Sequence, residues 1–222
     1  MNNLTLVIPA KHEKESLAKV LDEVKPYNWK IVVVLEKEDV ETIDSIKGKN
    51  CEILYQIHKG YGDALIQGVS HVQTEFFCIF NADGSFNPIE ISNMINKLNR
   101  ENCDLVFGSR YEKDCSSDDD TFITLIGNFI FTKLGKIFFR LNITDILYTF
   151  VLGRTKKVND LKLKSKDFVF CVELPIIAKK NGLKLTTSKS NERARIAGKK
   201  KVNAFRDGLK ILIGIIKLFF QK

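Results

Sequence analysis

Short apolar runs alternate with helical patterns through the first half of the chain, and this alternation limits the fold more than any other feature. The apolar runs predict buried strands at residues 4–10, 31–35, 51–56, 75–80 and 104–108. The intervening segments have apolar residues at helical spacing and predict helices around residues 17–24, 39–47, 61–72 and 88–99. Strands that alternate with helices indicate βαβ units and a mostly parallel sheet. We therefore expect an α/β domain of Rossmann-like architecture.

Polar residues follow three of these strands, at the sheet edge where α/β proteins bind ligands. Residues 9–13 (PAKHE) end the first strand, Glu36 follows the second, and residues 81–84 (NADG) follow the fourth. A carboxylate such as Asp83 can hold a divalent cation, and the cation can neutralise a diphosphate leaving group. Glu13 and Glu36 can accept hydrogen bonds from a base and a ribose. Since Asp-Gly pairs also form ordinary turns, Asp83 alone does not establish a site.

The two halves of the chain carry opposite net charge. Residues 1–120 contain 13 Lys and Arg against 21 Asp and Glu, a net charge of −8, whereas residues 121–222 contain 22 against 6, a net charge of +16. A basic half can attract phosphates, nucleic acid or anionic lipid. We expect no nucleic-acid partner, because no nucleic-acid-binding motif is present. The last basic cluster either binds phosphates or is a solvated loop, and it comprises Arg193, Arg195, Lys199, Lys200 and Lys201.

Two apolar segments of the basic half point toward a membrane surface. Residues 122–139 are interrupted by polar side chains, and we interpret them as a helix on the sheet or on a bilayer rather than across it. Residues 209–220 are too short to span a bilayer and are flanked by lysines, which is typical of an interfacial anchor. A terminal helix packed on the core or on a partner is the alternative. The predicted organisation is a domain over residues 1–198 and a basic amphipathic segment over residues 199–222.

Cysteine usage and the N-terminal sequence predict a cytoplasmic protein. The five cysteines are odd in number and widely spaced, which favours reduced, packed thiols over disulfides or a metal site. The first residues lack the basic and apolar regions of a secretory signal. With the apolar segments above, we expect a peripheral location on the cytoplasmic membrane face. The sequence leaves homo-oligomer formation open.

The ordered motifs resemble the family 2 glycosyltransferases, especially the dolichol- or polyprenol-phosphate mannose and glucose synthases. The opening PAKHE is similar to the family's Pro-Ala-x-Asn-Glu, residues 59–64 (KGYGDA) to its Gly-x-Gly-x-Ala, and residues 81–83 (NAD) to its Asp-Ala-Asp. Residues 108–111 (GSRY) match a further family segment fully. Residues 142–145, 168–174 and 195–201 resemble later family blocks in the same order. The resemblance covers nearly the whole chain.

The resemblance implies the nucleotide-diphospho-sugar transferase (GT-A) fold, a nucleotide-diphosphate sugar as donor, and Mg²⁺ or Mn²⁺ as cofactor. Asp83 is the expected metal carboxylate, with Asn81 beside it. The implied nucleotide-sugar site comprises Pro9, Ala10, Glu13, Glu36, Asn81, Ala82, Arg110, Arg195 and Lys201. Among these, Arg110, Arg195 and Lys201 would face the phosphates.

Several positions depart from the family pattern. Asn81 stands at the first metal aspartate of the family, and a neutral oxygen should bind a cation less well. Leu35 and Glu36 stand where the family has paired acids, His12 replaces the usual Asn, and Val151 stands where the polyprenol-phosphate enzymes tend to carry Arg. An altered donor, weak metal dependence and lost activity all remain open.

The leading functional hypothesis is an inverting sugar transfer to a polyprenyl phosphate or a lipid-linked glycan. A phosphate acceptor is already anionic, whereas a hydroxyl acceptor requires a base, for which Asp145 and Glu173 are the candidates. Either acid could instead be structural. The alternative class is a non-catalytic protein of the same fold that binds a nucleotide sugar or a partner. A nucleotidyltransferase is disfavoured because residues 9–16 contain no glycine for a phosphate loop.

Overall fold

The apolar runs of the first half form strands of one sheet in the computed structural model, which describes residues 3–198 and 200–221. The strands are β1 (Leu4–Pro9), β2 (Lys30–Leu35), β3 (Glu52–Tyr55), β4 (Phe76–Ile79), β5 (Leu105–Ser109), β6 (Val151–Arg154) and β7 (Leu185–Lys189). The helices are α1 (Leu17–Val24), α2 (Val40–Ser45), α3 (Tyr61–His71), α4 (Ile89–Arg100), α5 (Phe122–Phe139), α6 (Thr155–Asn159), α7 (Phe170–Lys180) and α8 (Ala204–Phe220). A short 3-10 helix, Lys25–Tyr27, follows α1.

The sheet is mostly parallel, as the alternating pattern predicts. Its strand order is β3-β2-β1-β4-β6-β5-β7, and only β6 runs antiparallel to its neighbours within the described residues. The five strands expected in the first half are confirmed. The sequence analysis did not identify β6 (VLGR) or β7 (LTTSK), and β7 is polar and half-buried.

Helices cover both faces of the sheet and bury two apolar cores. In β1, Val7 faces α3 and the core that includes α5, α7 and α8, whereas Leu6 and Ile8 face the core that includes α1 and α4. All three side chains are fully buried. A strand buried on both faces is apolar at nearly every position, which explains why β1 is an almost continuous apolar run, interrupted by the buried Thr5, rather than an alternating one.

The C-terminal helix α8 packs on the domain rather than standing apart from it. Its residues Ile211, Ile215 and Leu218 are buried in the core with α5 and α7. Gly214 permits this contact, because a Cβ there would lie 2.4 Å from the Cγ1 atom of Val169. The predicted boundary at residue 198 stays a prediction, but the segment that follows shares the core of the domain.

Two helical glycines provide a test of the packing. A Cβ on Gly68 of α3 would lie 2.4 Å from Val7 Cγ1 and 2.9 Å from Val34 Cγ2, whereas a Cβ on Gly127 of α5 would meet nothing within 4 Å. Overpacking costs about 1–3 kcal/mol, and alanine gains roughly 1 kcal/mol over glycine inside a helix. We expect Gly68→Ala to lower the free energy of unfolding and Gly127→Ala to raise it, as measured by urea denaturation. Equal shifts in the same direction would contradict this packing.

Candidate active site

The carboxyl ends of β1, β2 and β4 open into one cavity of about 610 Å³. Pro9 and Ala10 end β1, Glu36 follows β2, and residues 81–83 follow β4 by way of Phe80, whose side chain is fully buried. Ten residues expected to form the site line this cavity, namely Pro9, Ala10, Glu13, Glu36, Asn81, Ala82, Asp83, Arg110, Arg195 and Lys201. The structure therefore brings together residues that lie up to 192 positions apart in the chain.

Asp83 is held at the cavity by its own turn and by the basic C-terminal segment. Its Oδ1 atom accepts a hydrogen bond from the Ser85 backbone N–H at 3.0 Å, and its Oδ2 atom lies 3.7 Å from the Arg195 guanidinium. Its backbone carbonyl accepts the Ile196 N–H at 2.8 Å. The Asn81 amide donates to Ser85 Oγ at 3.0 Å. Asp83 and Asn81 are thus oriented as a pair by one serine.

The oxygen atoms of Asp83 and Asn81 can supply only part of a cation site. No group of three or more His, Cys, Asp or Glu side chains in the described ranges is placed to hold a metal ion. Mg²⁺ commonly binds through one or two carboxylates together with substrate phosphates and water. Asp83 fits that arrangement, so the residues present suit a cation that is completed by a bound diphosphate.

Cations from the C-terminal segment face these acids across the cavity. Lys201 Nζ lies 2.8 Å from Glu13 Oε1, and Arg195 lies 2.8 Å from Asp119 Oδ2. Lys200 also contacts Asp119, at 3.4 Å. Burial opposes ionisation of Asp119, but Arg195 and Lys200 outweigh it and lower the pKa of this carboxyl. Asp119 therefore stays ionised at neutral pH and balances two of the cavity's cations.

Arg193, another member of the basic cluster, does not add to this wall. Arg193 makes a two-pronged contact with Glu23 at 2.7 and 3.0 Å and does not line the cavity. Lys199 lies outside the described residues.

Arg110 is a cavity residue whose charge is already neutralised. It follows β5, and its guanidinium binds both oxygens of Asp145, at 2.8 and 3.0 Å, and Glu192 at 3.0 Å. Burial alone would lower the pKa of Arg110, but Asp145 and Glu192 raise it well above its usual value. The guanidinium also stacks over Tyr148, 4.5 Å from the ring centroid. Asp145 is fully buried and does not line the cavity, so it positions Arg110 and has no exposed oxygen for an acceptor.

Glu173, the other candidate base, also lies off the cavity wall. Its carboxylate accepts the backbone N–H groups of Lys164 and Ser165 at 2.8–3.2 Å. The segment that it holds, residues 164–167, crosses Gly60 and Gly62. A Cβ on Gly60 would lie 2.1 Å from the Lys166 carbonyl oxygen, and one on Gly62 would lie 2.2 Å from that of Ser165. The Gly-x-Gly motif thus permits a close backbone approach, and Glu173 fixes the approaching loop.

That crossing forms an aromatic wall which the sequence analysis missed. Tyr61 stacks on Phe168 with the ring centroids 5.0 Å apart, and both line the cavity. The Tyr61 hydroxyl lies 2.7 Å from Thr149 Oγ1, and burial raises the pKa of this phenol. The position of Tyr61 between the two glycines was the available signal. Asp119, which lies in the polar segment between β5 and α5, was missed because nothing in its local sequence marks it as a partner of Arg195.

Comparison with known proteins decides the family. The model of the family described as glycosyl transferase family 2 matches residues 5–162. The chain belongs to glycosyl transferase family 2. It is a glycosyltransferase. The resemblance to the polyprenol-phosphate mannose and glucose synthases in particular stays a prediction.

Several relatives match most of this glycosyltransferase. An uncharacterized glycosyltransferase of Mycobacterium tuberculosis is 24% identical over 210 residues, covering 95% of this chain and 94% of the relative. An uncharacterized protein of Methanocaldococcus jannaschii is 26% identical over 192 residues, covering 83% and 79%. The UDP-N-acetylglucosamine–dolichyl-phosphate N-acetylglucosaminyltransferase of Methanococcus voltae is 24% identical over 209 residues, covering 81% of each chain.

Solved structures share the fold. Glucosyl-3-phosphoglycerate synthase of Mycobacterium tuberculosis, in complex with Mn²⁺, UDP and glucosyl-3-phosphoglycerate, superposes with a TM-score of 0.78 at 13% identity, over 98% of this chain and 80% of the other. A complex of the same synthase with Mn²⁺, UDP-glucose and phosphoglyceric acid gives a TM-score of 0.76 at 12% identity, with the same coverage. The expected GT-A fold is confirmed.

The buried Arg110 ion cluster gives a stability test. Removing one partner of a buried ion pair typically costs about 3–5 kcal/mol, while an exposed pair contributes roughly 0–1 kcal/mol. We expect Asp145→Ala to destabilise the glycosyltransferase by about 3 kcal/mol in denaturant unfolding. The matched control is Glu23→Ala, which removes the half-exposed partner of Arg193. If both variants lost a similar amount of unfolding free energy, the buried Arg110–Asp145 pair would contribute no more stability than the half-exposed Arg193–Glu23 pair.

Proposed function

We propose that this glycosyltransferase moves a sugar, with inversion, from a nucleotide-diphosphate sugar to a polyprenyl phosphate or a lipid-linked glycan at the cytoplasmic face of a membrane. One observation carries the proposal: the cavity of acids and cations lies directly beside two helices whose outer faces are apolar. The GT-A fold supports a nucleotide sugar as the donor. The Methanococcus voltae relative, named for transfer to dolichyl phosphate, supports a lipid-linked acceptor.

The donor would bind across the carboxyl ends of the strands. Glu36 is hydrogen-bonded to Lys11 at 2.8 Å, and this contact lowers the pKa of its carboxyl. An ionised Glu36 offers only acceptors, which suits the N–H and hydroxyl groups of a base and a ribose. Arg195 and Lys201 would turn from Asp119 and Glu13 to the diphosphate, where guanidinium and ammonium groups bind phosphate oxygens. UDP-sugars are the first donors to test, since the Methanococcus voltae relative is named for one.

A divalent cation, Mg²⁺ or Mn²⁺, fits this donor site through Asp83, with Asn81 as a neutral second oxygen. When bound, it would neutralise negative charge on the diphosphate leaving group. Arg195 and Lys201 line the same cavity as Asp83, so these two cations would orient the leaving group and stabilise its negative charge.

The transfer forms one bond and breaks another at the anomeric carbon. An acceptor oxygen attacks this carbon from the side opposite the diphosphate, the new carbon–oxygen bond forms, and the nucleoside diphosphate leaves with the electron pair of the old bond. A phosphate acceptor needs no proton acceptor because its oxygen is already ionised. This matches a cavity in which the candidate bases Asp145 and Glu173 are both engaged elsewhere.

The outer faces of α5 and α8 support attachment to a membrane surface. Phe138 and Phe139 of α5 pack edge-on against Phe219 of α8, so the two helices present one combined apolar surface. Its exposed side chains are Phe122, Ile123, Leu125, Ile126, Phe129, Ile130, Ile137 and Phe138 of α5 and Phe205, Leu209, Leu212, Ile213, Ile216, Phe219 and Phe220 of α8. Apolar helices bordered by lysines, here Lys133, Lys136, Lys210 and Lys217, are typical of interfacial binding to anionic lipid.

Within the described residues, α5 is long and apolar enough to cross a membrane, judged by length and composition alone. Of its 18 residues, 22% are buried in the protein. Its contacts with α7 and α8 favour a position along the surface instead, because its buried residues, including Phe131 and Phe139, belong to the core of the domain.

Donor binding can be tested by calorimetry with UDP-, GDP-, CDP- and dTDP-sugars, each with and without Mn²⁺. A charge-assisted hydrogen bond is worth about 1.5–3 kcal/mol, so we expect Arg195→Ala to weaken binding by roughly tenfold or more. Asp83→Ala should abolish the Mn²⁺-dependent part of the affinity. The control Arg193→Ala, outside the cavity, should bind as the unmodified protein does. Binding of no donor under any condition would overturn the proposal.

Membrane attachment can be tested by flotation with vesicles of phosphatidylcholine containing phosphatidylserine. Each basic residue near an anionic surface contributes about 1 kcal/mol, so we expect Lys210→Glu with Lys217→Glu to reduce vesicle binding by more than tenfold. The matched control is Lys19→Glu with Lys25→Glu, the same charge change at α1 and the 3-10 helix that follows it, on the opposite face of the sheet. A protein that never floats with anionic vesicles, or equal effects of both pairs, would argue against attachment through α8.

A further inference from the structure

The segment between β6 and α7, which includes α6, carries a run of lysines that the proposed function does not use. Residues 156–166 contain five lysines and one aspartate, a net charge of +4. The five lysine side chains are all exposed, and they belong to Lys156, Lys157, Lys162, Lys164 and Lys166. None of them forms an ion pair with a carboxylate in the part of the chain that the structure describes. We call these five residues the lysine strip.

The lysine strip differs from the cations of the donor cavity, whose charges are balanced inside the protein. In the cavity, Lys201 pairs with Glu13 and Arg195 pairs with Asp119. Like charges that lie close together without such partners repel one another and oppose the compact state, whereas a bound polyanion relieves the repulsion. The strip therefore favours an anionic partner outside the chain.

The backbone beneath the strip is fixed, so that its lysines are held outward. Exposure alternates along residues 162–166, because the three lysines are exposed whereas Leu163 and Ser165 between them are partly buried. Leu163 packs against the apolar core. The Glu173 carboxylate accepts the backbone N–H groups of Lys164 and Ser165. A segment that is already ordered loses less entropy when several of its side chains bind one partner.

The strip lies on the same face of the sheet as the apolar helices α5 and α8. Leu161, within the strip segment, is buried in the core that also holds Ile211 of α8. Directly after the strip, the Asp167 carboxylate lies 3.5 Å from the Lys210 ammonium group of α8. The positive charge of the strip therefore borders the apolar surface that α5 and α8 present.

An anionic bilayer suits this combination of charge and apolar surface better than a nucleic acid does. Single-stranded nucleic acids bind in basic grooves that also offer aromatic side chains for base stacking. Residues 156–166 contain no aromatic residue. Lysines beside apolar helices instead match anionic head groups and the acyl chains beneath them.

We propose that the lysine strip binds the anionic head groups of a bilayer while the outer faces of α5 and α8 contact its acyl region. This assignment rests on the proposed membrane attachment and adds to it a second, electrostatic contact outside α8. The strip ends where Ser165 and Lys166 cross Gly62 and Gly60, at the wall of the donor cavity. Head-group binding therefore holds that wall next to the membrane and restricts the tilt of the domain.

The test compares flotation of the full chain with vesicles of pure phosphatidylcholine and with vesicles that also contain phosphatidylserine. One basic residue near an anionic surface strengthens binding roughly fivefold. We therefore expect the triple variant Lys162→Glu, Lys164→Glu and Lys166→Glu to bind the anionic vesicles about a hundredfold more weakly. Its binding to pure phosphatidylcholine, which depends on the apolar helices, should stay unchanged. Replacing the same lysines by glutamine should give a smaller loss in the same direction.

The matched control is Lys19→Glu, Lys25→Glu and Lys30→Glu, the same charge change at three exposed lysines in and after α1, which packs in the other core. Because salt screens distant charges, this control should lose much less affinity for anionic vesicles than the strip variant. Equal losses in the two triple variants would reduce the effect to net charge and overturn the strip. Urea denaturation should give the same free energy of unfolding for the strip variant and the unmodified protein.

The remaining outcomes separate this inference from the proposed membrane attachment. If the unmodified protein floats with anionic vesicles and the strip variant floats equally well, the strip assignment is wrong while attachment through α8 stands. If the unmodified protein never floats, the attachment fails and this inference fails with it. If the protein binds an oligothymidine strand and anionic vesicles do not compete for it, the partner is a nucleic acid and the proposal is wrong.

Discussion

The buried guanidinium of Arg110 joins three parts of the chain that the rest of the site depends on. Asp145 precedes β6, Glu192 follows β7, and Arg110 itself follows β5. A buried charge needs partners on every side, so these three segments must arrive together for any of them to be stable. Their meeting places the basic C-terminal segment over the cavity, because Glu192 lies three residues before Arg195. Asp145, which the sequence offers as a candidate base, therefore has a structural role: it neutralises the buried guanidinium of Arg110.

Charge balance dominates the cavity that this cluster organises. Lys201 pairs with Glu13, and Arg195 pairs with Asp119 while lying near Asp83. A nucleotide diphosphate would bring its own negative charge and compete with Asp119 and Glu13 for the same cations. In the proposed function, this arrangement would keep the partly buried Lys201 and Arg195 neutralised between turnovers and would let them exchange carboxylates for phosphates.

Helices α5 and α8 extend the cavity toward a second environment. Their inner faces pack on the domain through buried apolar side chains and through the tightly packed Gly135 and Gly214, and their outer faces are apolar with bordering lysines. Ordinary helices of a water-soluble domain place polar residues outward. The outward apolar faces, next to the cavity proposed to bind the donor, support the proposal of a lipid-linked acceptor.

The sequence by itself determined the α/β fold, the strand ends that line the cavity and the position of Asp83, because buried parallel strands impose continuous apolar runs and ligands bind where those runs stop. It did not determine β6, which lies between β4 and β5 in the sheet, or the polar β7, which pairs with β5. It could not separate bases from structural acids either: Asp145 and Glu173 have suitable chemistry, and only tertiary contacts show that one binds Arg110 and the other caps a loop. The contacts of Asp119 with Arg195 and of Tyr61 with Phe168 likewise join segments far apart in the chain, so they form only when the chain folds.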